Sequence, residues 1–153
     1  MHALEHRLPP PAVALAVAAA MWLVAHFTPR IDVDSTVRLG LTAAFAGAAA
    51  VFAGLGISMF GRAKTTINPV RIDQVSALVT TGVYGVTRNP MYLGLALLLC
   101  ACTCYLAAPW VLLGPVAFVA FISRFQIAPE ERALHERFGA AFDDYRRRVR
   151  RWI

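Results

Sequence analysis

A chain of 153 residues suits one domain, and its composition, 58% hydrophobic and 16% charged with a net charge of +6, departs from that of a soluble domain, which averages roughly 25% charged. The basic excess does not indicate a nucleic-acid partner, because the basic residues flank apolar runs, with no aromatic stacking platform and no recognisable nucleic-acid module. Anionic lipid head groups are the partner that such flanks attract.

Residues 8–29 contain no Asp, Glu, Lys or Arg, and the same holds for 39–61 and 89–123. A helix needs about 20 residues to cross the hydrocarbon core. The first two runs fit one span each, and the third fits two short ones divided at Pro109-Trp110, where a proline turn with an interfacial tryptophan is expected. The predicted spans are roughly 10–28, 39–60, 90–106 and 110–126. The first run is long for a signal peptide, and the residues around His26 make a poor cleavage site, so it reads as a retained helix.

In the second span, small residues recur every four positions at Ala43/Gly47 and Ala46/Ala50/Gly54, a spacing that lets another helix approach closely. Gly54-Leu-Gly56 has neither the preceding strand nor the polar helix start of a nucleotide fingerprint, and its expected role is packing. Cys100, Cys102 and Cys104 lie within the third span and cannot converge on one ion without unwinding it. They read as small buried side chains, and no metal site is expected.

Basic residues set the orientation. With the N-terminus inside, 13 of the 15 Lys and Arg face the cytoplasm and only Arg30 and Arg38 lie outside, which predicts two cytoplasmic termini. The cytoplasmic parts are then 61–89, a turn-rich polar connection expected to lie ordered against the membrane, and 127–153. In the latter, Pro129-Glu130-Glu131 carries the signals of a helix start. Leu134, Phe138, Ala141, Phe142, Tyr145, Val149 and Trp152 form an apolar stripe along an amphipathic segment that Gly139 weakens or breaks. The fold class is therefore all-α integral membrane, with about four transmembrane helices, a cytoplasmic connection and a C-terminal amphipathic segment.

The most informative stretch is Arg88-Asn89-Pro90-Met91-Tyr92-Leu93-Gly94. Asn89 before a proline is pushed to the extended geometry of an N-cap, and Pro90 takes the first helical position. Arg88 beside that helix start can bind an anion, or it can snorkel to lipid phosphate; the residues alone leave both readings open. Glu130 and Glu131 likewise either compensate a helix dipole or hold a cation.

The run Thr80-Thr-Gly-Val-Tyr-Gly-Val-Thr-Arg-Asn-Pro-Met-Tyr-Leu-Gly94, followed by Glu130-Glu131-x-x-Leu134-x-x-x-Phe138-Gly139-x-x-Phe142-x-x-Tyr145, resembles the isoprenylcysteine carboxyl methyltransferase and phospholipid methyltransferase superfamily. The Thr65-Thr66-x-Asn68-Pro69 segment looks like its small bacterial members. The resemblance implies a bacterial inner-membrane enzyme that uses S-adenosylmethionine to methylate a lipophilic acceptor entering from the membrane. Carried over by position, it makes Arg88, Asn89, Pro90, Tyr92, Gly94, Glu130, Glu131 and Tyr145 cofactor-binding, with Arg88, Glu130 and Glu131 catalytic. Phe142 departs from the tyrosine more common there, and Gly85-Val86 from a basic residue, so contacts from those side chains are in doubt. His135, near Glu131, is either a base or an exposed histidine. Two other classes stay open at this point: an NADPH-dependent reductase of the sterol-reductase type, which shares part of the first motif, and a non-catalytic lipid-binding membrane protein.

Overall fold

The structure is a computed structural model and describes residues 8–62 and 78–153. Residues 1–7 and 63–77 lie outside it, and with them Thr65, Thr66, Asn68, Pro69 and most of the expected cytoplasmic connection. Among the described residues there are helices and no strands: α1 (Pro10–Phe27), α2 (Ser35–Arg62), α3 (Pro90–Leu106), α4 (Leu113–Ile122), α5 (Ala128–Phe138) and α6 (Ala140–Arg148).

Three helical stretches are long and apolar enough to cross a membrane: Pro10–Phe27, Ser35–Met59 and Pro109–Phe138. α3 is apolar but shorter, at 17 residues. α1 opens on prolines whose missing N–H groups a first turn does not use. It stops at Thr28, which is held extended by the following Pro29. α2 begins at Ser35, earlier than the charge gap indicated. Asp34 caps it, accepting from the backbone N–H groups of Thr36 at 2.9 Å and Val37 at 3.1 Å. The Val37 bond leads the causes that hold the Asp34 carboxyl below its ordinary range.

The spans expected at 110–126 and the helix expected to open at Pro129 are one continuous run. A 3₁₀ turn at Pro109–Leu112 leads into α4, and a π-turn at Ser123–Ile127 carries it into α5. The Ala128 N–H reaches back to the Ser123 carbonyl, so this turn is one residue wider than an α-turn. A proline inside a helix lacks an N–H and crowds the carbonyl four residues back. The widened turn just before Pro129 gives that ring room, so α5, with Pro129, Glu130 and Glu131 in its first turn as expected, continues directly from α4.

α1, α3 and α4 share a core of Met21, Leu99, Val111, Phe118, Ile122 and Ile127, while α2 packs most extensively on α3. The α2–α3 contact uses Ala49, Ala53 and Gly56. A methyl group at Gly94 would meet the Ala49 carbonyl oxygen at 3.0 Å and the Ala53 Cβ at 3.1 Å, so any larger residue would push the two helices slightly apart. The Gly47/Gly54 face, expected to be the packing face, has nothing within 4 Å of either glycine. Of the Gly54-Leu-Gly56 pair, only Gly56 is packed, against Met91 and Pro90.

The two ends of the bundle differ. At one, the Ile31 N–H pairs with the Ala107 carbonyl at 2.8 Å, joining the α1–α2 turn to the end of α3. At the other, the Gln126 amide donates to the Leu8 carbonyl at 2.8 Å, and Met59 lies against Gly82. The start of α3, α5 and α6 belong to this second end. Gly139, at φ +50, turns the chain between α5 and α6, a conformation that favours glycine. Phe142, Tyr145 and Val149 then fold inward against Leu78, Leu134 and Phe138 as a second small core.

Candidate active site

The site is assembled by the 3₁₀ turn Gly82–Gly85, the first turn of α3, the charged part of α5 beyond the apolar layer, and the segment following α6. Asn89 occupies the N-cap position of α3 with Pro90 after it, but its side chain does not cap the helix. Its Nδ2 donates instead to the Arg151 carbonyl at 2.9 Å. Thr87 is fully buried; its hydroxyl donates to the same carbonyl at 3.3 Å and accepts from the Asn89 N–H at 3.2 Å.

Arg88 is buried in protein contacts. Its Nη1 donates to the carbonyls of Arg146 at 3.1 Å and Val149 at 3.2 Å, the exposed end of α6. A cation there complements the negative end of the helix dipole. Its Nη2 meets Glu131 Oε1 at 2.7 Å, with the two side chains 12% and 17% exposed. An arginine so enclosed is not snorkelling to lipid. Glu131 is claimed a second time by Arg151, from Nε to Oε1 at 3.1 Å and from Nη2 to Oε2 at 2.5 Å. The hydrogen bond to Glu131 leads the causes that raise the Arg151 pKa. Two guanidinium groups thus share one carboxylate.

Glu130 is placed differently. Among the described residues it pairs with no arginine, and its Oε1 accepts from the Tyr92 hydroxyl at 2.5 Å. Burial pushes its carboxyl up to about 7; the Tyr92 bond opposes that rise and the neighbouring Glu131 charge adds to it. Such shifts occur both at functional sites and in structural ion-pair networks.

Two further tyrosines close the cluster. The Tyr145 hydroxyl donates to the Tyr84 carbonyl at 2.7 Å, and burial raises the pKa of both phenols. The structure therefore brings Arg88, Asn89, Tyr92, Glu130, Glu131 and Tyr145 into one neighbourhood. Pro90 and Gly94 face α2, where they serve helix packing. His135 stands apart on the exposed side, 3.2 Å from Asp143. Thr87, Tyr84 and Arg151 were not singled out from the sequence. Tyr84 and Thr87 lie within the run Thr80–Gly94 that carries the resemblance, whereas Arg151 carried no signal among so many arginines.

Fold and cluster together define a helical membrane protein with a buried polar, arginine- and glutamate-rich site at one end of its helices. The chain belongs to the phospholipid methyltransferase family, whose model matches residues 36–141. That span includes the whole of the first motif and both glutamates. An uncharacterized protein of Haemophilus influenzae is 43% identical over 63 residues, which is 41% of this chain and 100% of that protein. No solved structure matches.

Proposed function

We propose that this protein is an S-adenosylmethionine-dependent methyltransferase that methylates a lipophilic acceptor reaching the site from within the bilayer. The observation that carries the reading is the unequal use of the two glutamates. Glu131 is consumed by Arg88 and Arg151, while Glu130 pairs, among the described residues, with the neutral Tyr92 hydroxyl, which leaves its charge available to a cation. Two guanidiniums against one carboxylate also leave an excess positive charge beside the start of α3, whose first N–H groups favour an anion.

A ligand with an ammonium, a sulfonium and a carboxylate matches both features. When bound, S-adenosylmethionine supplies an electrophilic methyl group on its sulfonium. Glu130 would hold the ammonium, and the α3 start with Arg88 would hold the carboxylate. Methyl transfer is an in-line displacement, so the residues contribute chiefly by positioning and by excluding water. A neutral amine or a carboxylate acceptor needs no Ser-His-Asp arrangement.

In this reading all four apolar helices cross the bilayer. α3, 17 residues long and so about 25 Å, runs from the end where Met91 meets Gly56 to the end where Ala107 meets Ile31. Both termini and the site then face the cytoplasm. Labelling a cysteine placed at position 33 in a variant lacking Cys100, Cys102 and Cys104 checks this; label entering only from the cytoplasm would overturn it.

Calorimetric titration in detergent tests the function. S-adenosylmethionine should bind and NADPH should not. Glu130→Gln should weaken that binding by about tenfold or more, since a charge-assisted bond is lost. Because Glu130 is protonated below about pH 7, wild-type affinity should rise as pH rises through that value and then level off. Glu130→Gln should abolish the rise. A wild-type protein that takes up no S-adenosylmethionine sinks the proposal. Mass spectrometry of a labelled methyl group after incubation with membrane extract would then identify the acceptor.

A further inference from the structure

We propose that Arg151 is a positioning residue of this site, holding Glu131 so that Glu131 in turn fixes Arg88; the inference rests on reading the cluster as an S-adenosylmethionine site. A carboxylate held by one arginine can still rotate about its side-chain torsions. Glu131 is held from two directions: Arg151 meets both of its oxygens, at 3.1 and 2.5 Å, and Arg88 meets Oε1 at 2.7 Å. Only a planar fork can meet both oxygens in this way, so lysine is a poor substitute.

The backbone around Arg151 serves the same end. Its carbonyl accepts from Asn89 Nδ2 and from the Thr87 hydroxyl, while the Arg88 N–H donates to the carbonyl of Arg150 at 3.0 Å. Trp152 anchors the segment independently, its indole N–H donating to the Ser123 hydroxyl at 3.1 Å. The Arg151 side chain is therefore not needed to keep the segment in place, and what it adds is directed at Glu131. It is also the outermost of the three charged groups, 38% exposed against 12% for Arg88 and 17% for Glu131. Removing it need not open the core.

The test uses the full chain in detergent, with Arg151→Ala and Arg151→Lys compared with wild type. The measurements are thermal stability, hydrogen exchange across residues 87–94, and S-adenosylmethionine affinity by calorimetry. Arg151→Ala should melt close to wild type, exchange faster over 87–94, and bind about tenfold more weakly or worse. Arg151→Lys should recover only part of the affinity, because lysine keeps the charge but not the fork. Wild-type affinity in Arg151→Ala overturns the inference. If Arg151→Ala fails to fold, unchanged affinity in Arg151→Lys overturns it equally. If the wild-type chain binds no S-adenosylmethionine, the functional reading falls by itself. Exchange then decides: wild-type exchange over 87–94 in Arg151→Ala rejects the positioning role.

Discussion

Along α1 and α2 the described contacts are almost all apolar, and large side chains such as Leu15, Trp22, Phe27, Leu41 and Val51 stand exposed on the outer faces. Around residues 84–94 and 130–152 the chain is held by hydrogen bonds and ion pairs between groups far apart in sequence: Arg88 to Glu131, Tyr92 to Glu130, Tyr145 to Tyr84, Asn89 to Arg151. Inside a bilayer, lipid solvates an apolar helix face as well as a protein neighbour does, so α1 and α2 need only close backbone approach and dispersion to associate. At the polar end, buried charges cost several kcal/mol each unless paired, so removing the central carboxylate is felt far more than removing an outer, exposed partner. Substitutions in the two regions should therefore fail for different reasons.

The largest effect is expected for Glu131→Gln. It removes the charge that both guanidinium groups share, leaving Arg88 and Arg151 a neutral amide oxygen in place of the carboxylate. Breaking a buried pair costs about 3–5 kcal/mol, and the partial exposure of Arg151 puts this one near the lower figure. Chemical denaturation in detergent should show that loss together with weaker donor binding. Glu130→Gln should instead weaken binding with stability nearly intact. Equal behaviour of the two variants would erase the distinction drawn between the glutamates.

Next comes Gly94→Ala. The added methyl would lie 3.0 Å from the Ala49 carbonyl oxygen, a backbone atom that cannot rotate away. Overpacking of this kind costs about 1–3 kcal/mol. Loss of stability with donor affinity preserved would assign Gly94 to the helix contact. Preserved stability with lost affinity would return it to the cofactor-binding set implied by the family resemblance.

These contrasts explain what was legible in the sequence. The first span, expected at 10–28, is found at Pro10–Phe27, because an uncharged run of that length has few alternatives. The second span, expected at 39–60, lies within the longer α2, whose start is set by a cap outside the charge gap, Asp34-Ser35-Thr36. A proline followed by two acids reads as a helix start, and Pro129-Glu130-Glu131 do form the first turn of α5. Nothing local announces the π-turn that joins it without a break to α4. At the site, the Arg88 and Glu130-Glu131 motifs were visible as motifs, yet their pairing was not. Which glutamate an arginine claims depends on contacts spanning 43 residues, and Arg151 enters through a tail with no distinguishing pattern.

Tyr145→Phe should have a smaller effect. The hydroxyl is already committed to the Tyr84 carbonyl at 2.7 Å, and its removal leaves that buried acceptor without this donor. The cost should be about 1–2 kcal/mol. Donor affinity should stay at the wild-type value, measured by the same titration. Affinity lost without a change in melting would instead mean that the hydroxyl turns towards the ligand.

The smallest effect is expected for Gly47→Ala, and it is the sharpest control on the comparison because it repeats the Gly94 substitution on the other side of the fold. Both glycines lie in apolar helices, and the small-residue spacing in α2 marked Gly47 for close packing. The packed face of α2 is instead the one carrying Ala49, Ala53 and Gly56, while a methyl group at Gly47 meets nothing within 4 Å. Replacing a helical glycine with alanine removes a propensity cost of about 1 kcal/mol at most. Gly47→Ala should thus melt at, or slightly above, the wild-type temperature, with unchanged donor binding, while Gly94→Ala melts below it. If Gly47→Ala is destabilised as strongly as Gly94→Ala, then the open face of α2 is covered by something other than lipid in the membrane. Measuring both variants over a range of protein-to-detergent ratios would then show whether the loss depends on a second copy of the chain.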